Sequence, residues 1–318
     1  LDTAIPYAAL RAYVGGMTIG VVRAVQRQLG MTLRSKVAGN DASAKAQRIW
    51  AAEGERWFRP GDPIWRVHSD AAMFPGGVTS LLLQSLHPLA MAGVAGHSGY
   101  KGDPWGRLQR TSHYLATTTF GTVEQAEEAI AAVRAIHERV RGRDPVGRAY
   151  RASDPHLLRW VHVAEVDSFL RSYQAFAAAP LSDAEADCYV AQTGVPAQRL
   201  GVVEPPTSVA ELGAVIEDYR PELESTEAAR EAARFLLLDP PLPLWARPGY
   251  GVLAAGGVSL LPGWARSMLG LPVPDAVARC VCMPLGRLGT DTVRWGLAGI
   301  GTRRPSDPRE VEAQPVEA

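Results

Sequence analysis

Cysteine is scarce: Cys188, Cys280 and Cys282 are the whole complement. Three thiols, two of them separated by a single residue, build neither a disulfide framework nor a C-x-x-C zinc site. They are expected to be reduced, in a cytoplasmic protein. Net charge is also lacking, because 33 basic residues face 33 acidic ones. No overall field draws the chain to nucleic acid or to an anionic membrane, which leaves a small molecule as the expected partner. The longest uncharged run, PGYGVLAAGGVSLLPGWA at 248–265, holds five glycines and is broken by proline, so no membrane span is expected. The first residues show no charged region followed by an apolar one, so no signal peptide is expected. Neither E-x-x-H nor H-E-x-x-H occurs, which excludes the helical di-iron and zincin motifs. GHSGY at 96–100 misses the spacing of a nucleophile elbow, and GLAGIG at 296–301 has its glycines in the wrong order for a dinucleotide fingerprint.

What is present is a chain of 318 residues, 47% of them hydrophobic, enough to bury one large core. The apolar spacing is helical almost throughout. Ala126, Ile130, Val133, His137 and Val140 recur at three or four residues after a Thr122/Gln125 capping-box signature, which predicts a helix over about 123–141. The loop GRDPVGRAY follows. Asp154 and Pro155 then open a helix, HLLRWVHVAEVDSFLRSYQAF, that is apolar on nearly every side and so belongs in the core. Upstream, a Gly-Gly break at 76–77 precedes a buried helix, and another helix starts near 104. Residues 303–318 carry no apolar periodicity and read as a disordered tail. The fold class expected is mainly α, in one domain over residues 1–302.

Of the seven histidines, at 68, 87, 97, 113, 137, 156 and 162, three fall in apolar helical text: His87, His137 and His162. A lone helical histidine is usually a core residue bonded to a carbonyl. His162 is the exception to weigh, because Leu158, Val161, Val166 and Phe169 surround it with apolar surface, and an imidazole on a rigid buried helix can hold haem iron. His87, followed by Pro88, marks a kink; it either caps carbonyls freed by the proline or touches cofactor or substrate. Arg107, Arg110 and Thr111 share neighbouring turns and can point together into one cavity, or face solvent. The Gly-rich run is expected either to lie against the substrate cavity, with Val252, Leu253, Leu260 and Leu261 as apolar surface, or to serve close helix packing.

The runs LLLQSLHPLAMAGVAGHSGYKGDPWGRLQRT, TTFGT, GRAYRASDPHLLRWVHVAEVDSF, EPPTSVAELGAVIEDY and GGVSLLPGWAR, in that order over about residues 55–275, resemble the bacterial branch of the MpaB-type oxygenase family, which includes the latex clearing proteins. The resemblance implies a helical fold around one haem b and the use of dioxygen on a hydrophobic substrate. It places His162 as the axial ligand; from their place in the apolar helical text, His87, Leu158 and Phe169 are further cofactor-side candidates. Arg107-Leu-Gln-Arg110-Thr111 is similar to the R-x-x-K-T helix of the distal side. There Arg110 replaces the lysine that can cap the iron, and a guanidinium has no lone pair to give a metal.

The function expected is therefore a haem-dependent oxygenase acting on a small hydrophobic molecule, with an external electron donor as a possible partner. The alternative is a haem- or lipid-binding protein without turnover. Residues 71–102 contain no acidic side chain, and Asp103 is spaced to pair with Arg107. Unless Glu165 or Asp167 reaches the pocket, no carboxylate base is at hand, and rubber cleavage is not expected.

Overall fold

In the computed structural model the described chain comprises residues 7–97 and 102–301, with side chains from residue 20 onward. It is built almost wholly of helices. They are α1 (Tyr7–Ala38), α2 (Ala42–Ala51), α3 (Pro63–His68), α4 (Met73–Gln84), α5 (Pro88–His97), α6 (Pro104–Phe120) and α7 (Val123–His137). A short antiparallel pair follows, β1 (Arg141–Arg143) and β2 (Ala149–Arg151). The second half holds α8 (Pro155–Phe176), α9 (Asp183–Leu200), α10 (Val209–Tyr219), α11 (Glu227–Leu237), α12 (Arg247–Leu260), α13 (Gly263–Met268), α14 (Asp275–Val277) and α15 (Met283–Ala298). The single mainly α domain expected from the apolar spacing is what the chain forms. The tail at 303–318 lies outside the described residues.

Helix starts follow the local chemistry. Asp103 accepts a hydrogen bond from the Gly106 amide at 2.9 Å and Pro104 opens α6. Thr122 and Gln125 form both arms of the capping box on α7. Asp154 accepts from the His156 amide at 2.9 Å ahead of α8. Each cap satisfies an amide that the first helical turn leaves without a partner. Two local expectations differ from the structure. GRDPVGRAY is not a plain loop but most of the hairpin, from the end of β1 through the turn into β2. Asp144 accepts from the amides of Val146 and Arg148 and from the Arg148 guanidinium, while Gly147 takes a positive φ of 89°. The other difference is at Gly76 and Gly77, which do not break a helix. They lie inside α4, and the chain instead bends by 107° at His87, between α4 and α5.

The core is centred on α8, where Trp160, Val163 and Ala164 are fully buried. Around it, glycines bring backbones close. A Cβ on Gly76 of α4 would lie 2.9 Å from the Phe169 ring and 3.0 Å from Ser172 of α8. On α12, a Cβ at Gly257 would meet Val78 at 2.8 Å, and the Thr79 hydroxyl of α4 donates to the Gly257 carbonyl at 2.8 Å. A Cβ at Gly256 would meet the Gly286 Cα of α15 at 2.7 Å. At the other end of α15, Gly296 abuts Gly30 of α1. Two glycines of the Gly-rich run thus serve helix packing, Gly257 against α4 and Gly256 against α15, and Leu261 joins the main apolar core. No single helix among the described residues is long and apolar enough to cross a membrane.

Candidate active site on the central helix

His162 and Glu165 sit one turn apart on α8 and so share a face of it. Both keep part of their surface accessible although protein surrounds them, as side chains do at the foot of a cleft or on the wall of an interior space. The Nε2 atom of His162 is buried and has no hydrogen-bond partner among the described residues. Burial, and secondarily the nearby Arg159 guanidinium, holds the His162 pKa down to about 4. The imidazole is therefore neutral near pH 7, with a lone pair to give. An unpartnered buried nitrogen costs about 1–3 kcal/mol, a cost that a metal bond to it would relieve. The chemistry of this atom fits an iron ligand.

Glu165 is the carboxyl on that face. Burial pushes its pKa up to about 7, so near neutral pH it is divided between acid and base and can hold or release a proton. Burial raises the Tyr114 and Tyr189 phenols well above their ordinary range, and the Glu165 charge adds to this, which places α6 and α9 beside the carboxyl. His68, at the end of α3, completes the polar surroundings. Its Nδ1 lies 2.8 Å from the Thr119 hydroxyl, its Nε2 3.4 Å from the Tyr189 hydroxyl, and its ring meets Phe169 edge-on. Burial holds its pKa down to about 4. With both nitrogens engaged, His68 is a positioned neutral imidazole, unlike His162. Asp167, the other carboxylate considered on α8, is held by Arg171 at 2.6 Å.

The remaining candidates divide. Phe169 is buried against His68 and Gly76, in the core that flanks His162. Leu158 points elsewhere, into a separate apolar cluster with Ala197 and Val202 near the end of α9, because four residues of helix carry it to a different neighbour. On α6, Arg107 is half-buried, whereas Arg110 and Thr111 face solvent. Arg110 pairs with Asp103 at 3.3 Å with both side chains exposed. The expected wall of all three residues is therefore not formed, since the turn that carries Arg110 and Thr111 rotates them outward. Asp103 serves as helix cap and as partner of Arg110.

His87 is 2% exposed at the bend between α4 and α5. Its ring lies 6.1 Å from that of His156, at the start of α8, and its Nε2 is 3.5 Å from a Glu222 oxygen.

The sequence model described as "ER-bound oxygenase mpaB/B'/Rubber oxygenase, catalytic domain" matches residues 65–295. The chain belongs to this family. Comparison with curated proteins gave no match, and neither did comparison with solved structures. The oxygenase catalytic domain spans His68, Tyr114, His162, Glu165 and Tyr189 alike. Of these, sequence reasoning singled out His162 and named Glu165 only as an exception. The contribution of His68, Tyr114 and Tyr189 depends on three helices meeting α8, and no spacing along the chain signals that meeting.

Proposed function

We propose that the protein is a haem b-dependent oxygenase that uses dioxygen on a small hydrophobic substrate, with His162 Nε2 as its ligand to iron. The observation that supports this most is that unpartnered, buried, neutral nitrogen on the central helix of an oxygenase catalytic domain. When bound, haem would supply the oxygen chemistry. The chain's own residues would do the rest. Trp160, Val163 and Ala164, fully buried on α8, hold the helix rigid, so the imidazole keeps one orientation. Glu165 accepts or returns a proton beside it, balanced near neutral pH. Glu165, on the His162 face of α8 and balanced near neutral pH, supports a carboxylate base at this site, so a rubber-like alkene stays among the substrates to try. Arg107, half-buried, is the one member of the α6 set that this reading keeps as a polar donor. An external donor would deliver electrons. Three free thiols suit a reducing compartment such as the cytoplasm.

The test is an absorption spectrum of the protein, as purified and after haem reconstitution. A Soret band that is lost or strongly altered in His162→Ala, together with oxygen uptake in the presence of reductant and an apolar substrate, supports the reading. A native spectrum retained in His162→Ala sinks it.

A further inference from the structure

Two turns before His162, a second group of chemistry-bearing side chains meets. His87 comes from the α4–α5 bend, His156 from the first turn of α8, and Glu222 from the helical turn at 220–222 that follows α10. The backbone draws these segments together, for the Glu224 amide donates to the Leu86 carbonyl at 2.8 Å. One Glu222 oxygen lies 2.8 Å from His156 Nε2 and 3.5 Å from His87 Nε2. One ligand atom from each residue falls within 4.8 Å of the other two. Nitrogen and oxygen ligands held tetrahedrally at zinc-bond lengths stand about 3.4 Å apart, so small side-chain rotations would close this set around one ion.

Two further observations point to a ligand rather than a plain ion pair. The first is that His87 is almost fully buried and its Nε2, on the side facing Glu222, has no hydrogen-bond partner. Among the described residues Nδ1 accepts from the Ala90 amide at 3.5 Å, the outer limit of a hydrogen bond, which is given up if Nδ1 takes the proton. The second is that the Tyr219 hydroxyl donates to the His156 carbonyl at 2.8 Å and lies 3.3 Å from His156 Nδ1. With its proton committed to that carbonyl, the hydroxyl is left to accept from Nδ1–H. This keeps a proton on Nδ1, so Nε2, which lies against the Glu222 carboxylate, is the nitrogen left to give its lone pair when an ion takes the place of the proton between them, the arrangement that outer-shell partners impose on metal-bound histidines.

We infer that His87, His156 and Glu222 form a binding site for one divalent transition-metal ion of zinc's class. Two imidazoles and a carboxylate favour such an ion over magnesium or calcium, which take oxygen ligands. Three protein ligands leave a coordination position open. It faces water, because His156 and Glu222 are half-exposed while His87 is the buried floor. Six helical residues separate His156 from His162, about 9 Å of rise, so this site is distinct from the proposed haem ligand.

The experiment uses untagged full-length protein stripped with chelator, titrated with Co²⁺ and followed by its visible d–d absorption, then competed with Zn²⁺. One equivalent of Co²⁺, displaced by Zn²⁺, is expected. His156→Ala and Glu222→Gln alter half-exposed side chains and should leave the helical circular dichroism intact while weakening Co²⁺ binding at least tenfold; Tyr219→Phe should weaken it less. His162→Ala should leave Co²⁺ binding unchanged. The inference is overturned if stoichiometric Co²⁺ gives no bands. It also fails if His156→Ala and Glu222→Gln bind as wild type does, including the case in which only His162→Ala removes the signal.

Discussion

Replacing His162 by Leu in haem-free protein should change how stability depends on pH. In the folded chain the imidazole titrates at about 4, against an ordinary value of 6.5, so between those values the unfolded chain binds a proton that the folded chain refuses. Stability is then lost as pH falls. At 1.36 kcal/mol per unit, a gap of roughly 2.5 units is worth about 3 kcal/mol by pH 4. His68, with the same depression, imposes a similar loss, so the wild-type curve alone cannot isolate His162. The difference between the two proteins can. His162→Leu should gain on the wild type by about 3 kcal/mol between pH 7 and pH 4, because the apolar contribution of Leu is independent of pH and His68 is common to both. Urea unfolding followed by circular dichroism at half-unit pH steps measures this. Parallel curves would show that His162 is hydrated enough to protonate in place, and would remove the argument that its Nε2 lone pair is held free for a metal.

Glu165→Gln should show the opposite sign. With its folded pKa raised to about 7, Glu165 weakens the wild type as pH rises from 4.5 through 7, so the variant should gain about 3 kcal/mol over that range in the same assay; an unchanged difference between pH 4.5 and 8 would contradict the assigned burial. Gly286→Ala places a methyl group into the Gly256 backbone and 2.9 Å from the Phe176 ring. It should cost about 1–3 kcal/mol by urea midpoint; wild-type stability would mean that α12 and α15 have room to part. Thr122→Ala, which removes one arm of the α7 capping box, should lower stability by about 1 kcal/mol, and a loss below about 0.3 kcal/mol would deny the cap its role.

Much of this was readable in the chain because helices announce themselves locally. Asp103-Pro104, Thr122/Gln125 and Asp154-Pro155 begin α6, α7 and α8 where the caps require, and the all-round apolar text of α8 placed it in the core. His162 stood out for the same reason. What could not be read depends on which helices meet. Leu158 and Phe169 are both apolar neighbours of His162 in sequence, yet one faces α9 and the other α3 and α4. Arg107, Arg110 and Thr111 lie on one short stretch, but a single turn separates half-burial from solvent. The hairpin at 141–151 escaped notice because its strands are three residues each, too short for any alternation to register. The meeting of His87, His156 and Glu222 spans 135 positions of chain and left no motif.

The glycines at helix crossings also bear on how this chain can change over time. From α1 through α15, α12 and α4 to α8, each successive contact has a glycine on at least one side: Gly30 with Gly296, Gly286 with Gly256, Gly257 with Val78, Gly76 with Phe169. Where a side chain fills a gap, a neighbour can compensate for its replacement. Where backbone meets backbone, nothing is available to give way. Sequence drift in descendants of this chain should therefore be free on the outer faces of these five helices and nearly frozen where Gly30 meets Gly296 and Gly256 meets Gly286, so that the frame carrying α8 and His162 is handed down in a fixed arrangement.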